Sequence, residues 1–291
     1  MKLRIIHKLA EMGATGRGTV MTNTESMRAD AALAARGLAP SRERARALIE
    51  AGLATVNGAP IDKPARRVTE ADVLAVTGDT HPFVSRGGLK LEKALDAFRV
   101  DVSGRVCVDV GASTGGFTDV LLRRGARHVY AVDVGTAQLH ESLRGDPRVT
   151  SMEQVNARAL TPAMFPEAPT LAVMDVSFIS IRLILPALLA VLGPDGRLIS
   201  LVKPQFEAGR RRVGKGGIVS GADTHRDVLR ELIDFLPTLG WRATGLDFSP
   251  IAGGDGNIEF LMDIVPGARC DRPVDEAVIA EVVHSAHAAR L

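Results

Sequence analysis

Two kinds of periodicity divide the chain. Between residues 28 and 78 the apolar positions suit short elements. "ADAALAARGLAP" predicts a short helix that Gly37 and Pro40 bring to an end. "SRERARALIEAG" predicts a second, with Ser41 as N-cap and Glu43 in the first turn. Ala45, Leu48 and Ile49 recur at i, i+3 and i+4 and form its buried stripe. Gly52 stops it. "LATVNGAPID" then reads as strand, Asn57-Gly58 turn and strand. Further on, the apolar runs "RVCVDVG", "HVYAVDVG", "TLAVMDVSF" and "GRLISLVKP" alternate with the helical candidates "GGFTDVLLRRG" and "IRLILPALLAVLG". That alternation predicts a doubly wound α/β domain with a mostly parallel sheet. "ATGLDFSPI" and "IEFLMDIV" have only a loop between them, which predicts an antiparallel hairpin at the sheet edge. Residues 274–290 read as a helix packed on the outside.

These patterns divide the chain into a polar extension (1–26), a small α+β module (27–78), a Gly- and Pro-containing linker (79–88), a large domain (89–268) and a helical tail (269–291). The extension starts basic but lacks the apolar stretch of a signal peptide. Its Gly/Thr-rich second half reads as disordered, and Met27 is a candidate alternative start. The 291 residues are 46% apolar, enough for a substantial core, and the net charge of +2 does not by itself name a polyanionic partner. No apolar run reaches the length of a membrane span. Cys107 and Cys270 have neither metal-ligand spacing nor the numbers of a disulfide framework. A cytoplasmic protein that binds no metal and no membrane is expected.

The candidate chemistry lies at strand ends, where doubly wound sheets bind ligands. "DVGASTGGFTD" (109–119) joins a strand to a helix, and its glycines let the backbone approach a ligand at a helix N-terminus. The spacing of Gly111, Gly115 and Gly116 is not that of a dinucleotide fingerprint, and no phosphate-loop lysine follows. Asp109 would repel a pyrophosphate but suits a cationic ligand such as S-adenosylmethionine. Asp133, ending the second strand, is placed to accept from ribose hydroxyls, and Asn156 to meet the adenine. Asp175 and Lys203 end later strands, Glu259 begins the last one, and Lys90 lies on a helix leading into the first. If the last strand is antiparallel, all four can converge beside the ligand.

Basic residues raise a second possibility. Arg42 and Arg46 border the apolar stripe on one side and Arg44 on the other, with Arg66 and Arg67 further on. They form either a solvated charged face or a surface for RNA phosphates. The module has no aromatic residue, so an RNA partner would be read by shape rather than by base stacking. "GRRRVGKGG" (209–217) has the same two readings: a phosphate clamp or a solvated loop.

"SRERARALIEAGLATVNG" resembles the RNA-binding domain first seen in ribosomal protein S-four of the small subunit. "DVGASTGGFTD" resembles the cofactor motif of class I methyltransferases, especially the FtsJ-like branch. Lys90, Asp175, Lys203 and Glu259 match, in order and context, the Lys-Asp-Lys-Glu tetrad of FtsJ-like RNA 2′-O-methyltransferases. Together with "FVSRGGLKLEKAL", "DVSFISI", "LVKPQFEAG" and "GNIEF", the chain is identified as a member of the TlyA, or haemolysin A, family over roughly residues 27–265. The resemblance implies a seven-stranded class I sheet with the last strand antiparallel. It implies S-adenosylmethionine held at Asp109, Gly111, Ser113, Gly115, Gly116, Phe117, Asp133 and Asn156. It implies RNA contacts at Arg42, Arg44, Arg46, Arg66, Arg67 and Arg86, and 2′-O-methylation of a ribosomal RNA cytidine within ribosomal subunits. One departure is "THPFV" in the linker, where some members carry a tryptophan-containing tetrapeptide. Two other readings stand beside this one: an RNA-binding assembly factor without catalysis, and a haemolysin-like membrane-active protein.

Overall fold

A computed structural model describes residues 26–39, 41–50, 52–76, 83–253 and 256–289. The extension expected over 1–26 therefore lies almost wholly outside the described residues. The chain falls into two compact units, one ending at Pro82 and one beginning at Phe83. Of the expected linker, residues 79–82 are outside the described residues, while Phe83 and Val84 pack in the core of the second unit.

The first unit begins with β1 (Met27–Arg28), α1 (Ala29–Ala35) and α2 (Arg42–Glu50), followed by β2 (Ala54–Val56), β3 (Ala59–Pro60), β4 (Arg67–Val68) and β5 (Leu74–Val76). Ser41 Oγ accepts from the Arg44 amide at 3.1 Å, as an N-cap should. Asn57 and Gly58 both have positive φ, 51° and 82°, so β2 and β3 close through the predicted tight turn. β5 pairs with the other edge of β2. Leu33, Leu48, Ile49, Val56 and Val68 fill the core. Asp30 is buried beneath Arg28 and Arg42, and its hydrogen bond from Arg28, aided by Arg42, holds its carboxyl down at about 2.

The second unit alternates as expected. It runs α3 (Gly87–Ala97), β6 (Val106–Val110), α4 (Gly116–Arg123), β7 (His128–Val132), α5 (Glu141–Arg144), β8 (Val149–Met152), β9 (Leu171–Met174), α6 (Leu185–Leu192), β10 (Arg197–Val202), α7 (Pro204–Glu207), α8 (Ala222–Phe235), β11 (Trp241–Phe248), β12 (Phe260–Pro266) and α9 (Glu276–Ala288). Its seven strands lie in the order β11-β12-β10-β9-β6-β7-β8, with β12 antiparallel to both neighbours. The seven-stranded α/β sheet with an antiparallel last strand is thus present, with β11 at the edge and β12 inserted beside β10.

Every residue of β6, and all but the first of β10, is buried, because apolar layers cover both faces of the sheet. One layer includes Leu91, Leu95 and Leu121 from α3 and α4; the other includes Leu188, Leu229 and Val283 from α6, α8 and α9. Arg197 starts β10 and forms a two-pronged pair with buried Asp263 of β12, at 2.8 and 2.7 Å. Such a pair carries orientation as well as energy and helps hold the β10–β12 register. Chain order reverses between β6 and β9: the strands proceed one way from β6 to β8 and the other way from β9 to β10. That reversal opens a crevice at the strands' carboxyl ends.

Candidate active site

The crevice holds a cavity of about 540 Å³ whose lining includes Gly111, Ser113, Asp133, Asn156, Asp175 and Ser177. Gly111 has φ 83°, and a Cβ there would stand 2.4 Å from the Asp175 carbonyl oxygen. Only a glycine lets the β6 and β9 ends approach this closely. Ser113 also has positive φ, 48°, and donates its amide to Asp133 Oδ2 at 2.8 Å. Asp133 Oδ1 accepts from the Gly135 amide at 2.7 Å, so the carboxylate is fixed at the cavity wall by two backbone donors. Asn156 Oδ1 accepts from the Arg158 amide at 3.1 Å and caps a short turn, which leaves its NH₂ group for a ligand.

The other residues expected at the cofactor do not line this cavity. Asp109 has no exposed surface; its Oδ2 accepts from Thr118 Oγ1 at 2.7 Å, and its Oδ1 has no hydrogen-bond partner. Burial pushes its carboxyl up to about 7. Gly115 and Gly116 serve packing: a Cβ on Gly115 would meet Leu143 Cδ1 at 2.2 Å, and one on Gly116 would meet Ser85 Oγ at 2.2 Å. Phe117 packs in the core with Phe83 and Leu91.

At the crevice mouth four charged groups meet. The β10–β12 register sets Val202 opposite Phe260, so Lys203 and Glu259 leave the sheet at the same edge. Asp175 follows the last residue of β9, and Lys90 sits in the first turn of α3. Lys90 Nζ donates to Glu259 Oε2 at 2.6 Å and lies 3.9 Å from Asp175 Oδ2. Lys203 Nζ is 2.6 Å from Asp175 Oδ1, a close charge contact rather than an aligned hydrogen bond, and donates to Ser177 Oγ at 2.8 Å. The result is an alternating chain of charges, Glu259, Lys90, Asp175, Lys203, all largely sheltered from solvent. A Cβ on Gly253 would stand 2.6 Å from Glu259 Oε1, so the turn behind that carboxylate must also be narrow. Lys93 is elsewhere, donating to Asp247 Oδ1 and to the Phe248 carbonyl at 2.9 and 2.6 Å.

Sequence reasoning missed Ser177, Thr118 and Glu207. Glu207 accepts from Ser180 Oγ and the Ile181 amide. No spacing rule marks them, because each matters only through a partner on another element or loop. The expected RNA-binding arginines fall into both units. Arg42 pairs with Asp30, Arg46 with Glu50, Arg66 with the Pro60 carbonyl and Arg67 with the Ser26 carbonyl. Arg44 is half-buried on α2. Arg86 is exposed just before α3 in the second unit. In the 209–217 loop, Arg212 is tied to Glu231 and the Ala208 carbonyl, while Arg210, Arg211 and Lys215 are exposed. Buried Asn257 anchors the loop's end, accepting from the Val219 amide and donating to the Gly217 carbonyl.

Comparison with known proteins identifies the family of each unit. Residues 83–264 match the FtsJ-like methyltransferase family, and residues 27–74 match the S4 domain. The 16S/23S rRNA (cytidine-2′-O)-methyltransferase TlyA of Mycobacterium tuberculosis is 44% identical over 89% of this chain and 96% of its own. Hemolysin A of Brachyspira hyodysenteriae is 41% identical over 82% of this chain and 100% of its own. A solved structure of a candidate hemolysin from Streptococcus thermophilus superposes with a TM-score of 0.73 at 47% identity, covering 91% of this chain and 96% of that one. The cavity, with glycine backbone at one wall and the Asp133 carboxylate at another, has room for S-adenosylmethionine, the methyl donor of such enzymes. An S4 domain followed by an FtsJ-like catalytic unit, with this identity over nearly the whole length, shows that the chain belongs to the TlyA family of S-adenosylmethionine-dependent methyltransferases.

Proposed function

We propose that the protein methylates the 2′-hydroxyl of a cytidine in ribosomal RNA, within ribosomal subunits in the cytoplasm. The observation that carries this reading is the meeting of Lys90, Asp175, Lys203 and Glu259 at the mouth of the donor cavity. The donor, when bound, supplies a methyl group on a sulfonium. A ribose hydroxyl is a weak nucleophile and needs its proton removed as it attacks. Lys203, in its neutral form, accepts that proton as the oxygen–methyl bond forms and the sulfur–methyl bond breaks. Asp175 and Ser177 aim the amine, touching it at 2.6 and 2.8 Å. Lys90 balances the far oxygen of Asp175 and is itself held by Glu259. Alignment of hydroxyl, methyl and sulfur in line supplies much of the remaining rate.

RNA capture is divided in this reading. The S4 domain holds structured RNA through the α2 arginines, and Arg210, Arg211 and Lys215 contact phosphates near the site. No helix among the described residues is long and apolar enough to cross a membrane. The test is methyl transfer from S-adenosylmethionine to purified, unmodified ribosomal subunits, read by nucleoside mass spectrometry. A methyl group on cytidine ribose is expected. A methylated base would overturn the reaction type, and no transfer with intact RNA binding would leave the assembly-factor reading.

A further inference from the structure

The segment after Lys203 and the segment after Asp175 run side by side and touch at three places. At the inner end Lys203 meets Asp175 and Ser177. In the middle the Phe206 and Phe178 rings lie 5.2 Å apart between centroids, tilted by 49°. At the outer end Glu207 closes the bracket: its Oε2 accepts from Ser180 Oγ at 2.6 Å and its Oε1 from the Ile181 amide at 2.8 Å. Both carboxylate oxygens of Glu207 are thus spent on one loop, the loop that carries Ser177. Glu207 touches neither the donor cavity nor the four charged groups at its mouth.

We infer that Glu207 is a positioning residue for methyl transfer: it clamps the Asp175–Ile181 loop to the α7 turn and so holds Asp175 and Ser177 against Lys203. The inference rests on the proposed reaction. Three features favour a geometric role. The Asp175 loop needs an outside restraint, because Phe178 is 92% exposed and sits at φ 64°, a conformation costly for a bulky residue. The contact of Asp175 with Lys203 is close but misaligned, so a small loop shift changes it. Partial burial raises the Glu207 carboxyl, with Arg182 and Glu231 the other charges near it, so this carboxylate is kept in place at a cost and not left as a solvated surface charge.

The experiment compares Glu207→Leu, Glu207→Gln and Ser180→Ala with wild type on ribosomal subunits, at a temperature where each variant is folded by circular dichroism. Arg230→Ala, which breaks the pair with Glu276 between α8 and α9, is the control for loss of stability alone. Glu207→Leu should lower kcat by about tenfold to a hundredfold, as expected when reacting groups are displaced by a fraction of an ångström to an ångström. KM for RNA should stay within about threefold of wild type, marking an effect on the reacting state rather than on uniform binding. Glu207→Gln, which keeps one acceptor oxygen, should recover most of the rate. Ser180→Ala should lose rate in the same sense; it decides the matter if Glu207→Leu does not fold. Folded Glu207→Leu or Ser180→Ala with wild-type kcat would overturn the inference, as would an equal loss in Arg230→Ala. A wild-type protein that transfers no methyl group would instead overturn the proposed reaction.

Discussion

Glu259 holds the ammonium of Lys90 at 2.6 Å, and the same ammonium lies 3.9 Å from Asp175. The two side chains are only 3% and 10% exposed. Lys90 thereby links a carboxylate that pairs with no other cation among the described residues to the carboxylate that holds Lys203. The link runs from helix α3 to the first residues before β12.

This burial makes the pair a stability element as well as part of the site. Removing Glu259 alone leaves a sheltered ammonium with only the longer contact to Asp175. Glu259→Ala should destabilise the second unit by about 3–5 kcal/mol in urea unfolding. Glu259→Leu combined with Lys90→Met should recover part of that loss, because no charge is then left unpaired. A double variant whose loss equals the sum of the single ones would show that the two residues do not act together.

Lys203 stands outside the cavity lining, whereas Asp175 is part of it. Lys203→Ala should therefore lower kcat by about 10²–10⁴-fold, the range of a lost general base, with little change in S-adenosylmethionine affinity by titration calorimetry. Asp175→Ala should weaken both. Retained transfer in Lys203→Ala would remove its assignment as base.

Two buried groups give opposite pH trends. The Asp109 carboxyl is raised to about 7, so the folded state binds its proton more tightly than the unfolded one. Its contribution to stability is full below the ordinary carboxyl range and is lost as pH rises to about 7, roughly 3–5 kcal/mol in all. Asp109→Asn should gain stability over wild type progressively across that window. His225 is fully buried, its Nδ1 2.9 Å from His287 Nε2 and its Nε2 3.0 Å from the Val219 carbonyl oxygen. Burial, aided by His287, lowers it to about 4. Its neutral form is the folded one, so stability is full above about 6.5 and is lost as pH falls toward 4, by roughly 3 kcal/mol. The stability difference between wild type and His225→Gln should shrink over that fall. Unfolding midpoints of the three proteins at several pH values check both signs.

The α2 arginines differ as probes of RNA binding. Arg46 pairs with exposed Glu50, whereas Arg42 helps hold buried Asp30. If each contacts one phosphate, Arg46→Gln should reduce the slope of log affinity against log salt by about 0.9 and leave the unfolding midpoint unchanged. Arg42→Gln should move both. An unchanged slope for Arg46→Gln would take that residue off the RNA surface.

Much of this was readable along the chain. Gly37, Gly52 and the Asn57-Gly58 turn mark where the small elements end, because their positive φ is a local requirement. The apolar runs of β6, β9 and β10 announce strands buried on both faces. The motif around Gly111 and the charged residues at strand ends pointed to the crevice. Other residues expected at the cofactor do not line the cavity. Gly115, Gly116 and Phe117 share the glycine-rich motif, and each is closely packed: a Cβ on either glycine would clash with a neighbour, and Phe117 lies in the core. Asp109 was expected to face a cation, and it is sealed beneath Thr118. A motif records which residues stand near a turn, not which way each side chain leaves it.

What the sequence determined by itself is the set of elements, their order and the residues available at their ends, since periodicity, caps and turn conformations act over a few positions. Only the tertiary structure decided which of those residues meet. Lys90 and Glu259 are 169 positions apart and are joined because β12 enters antiparallel beside β10 and delivers Glu259 to the edge where Lys203 emerges. The clamp of Glu207 on Ser180 is likewise a product of two neighbouring parallel strands, β9 and β10, ending together. Such contacts depend on strand order and register, which arise from how the whole apolar surface packs and not from any local run of residues.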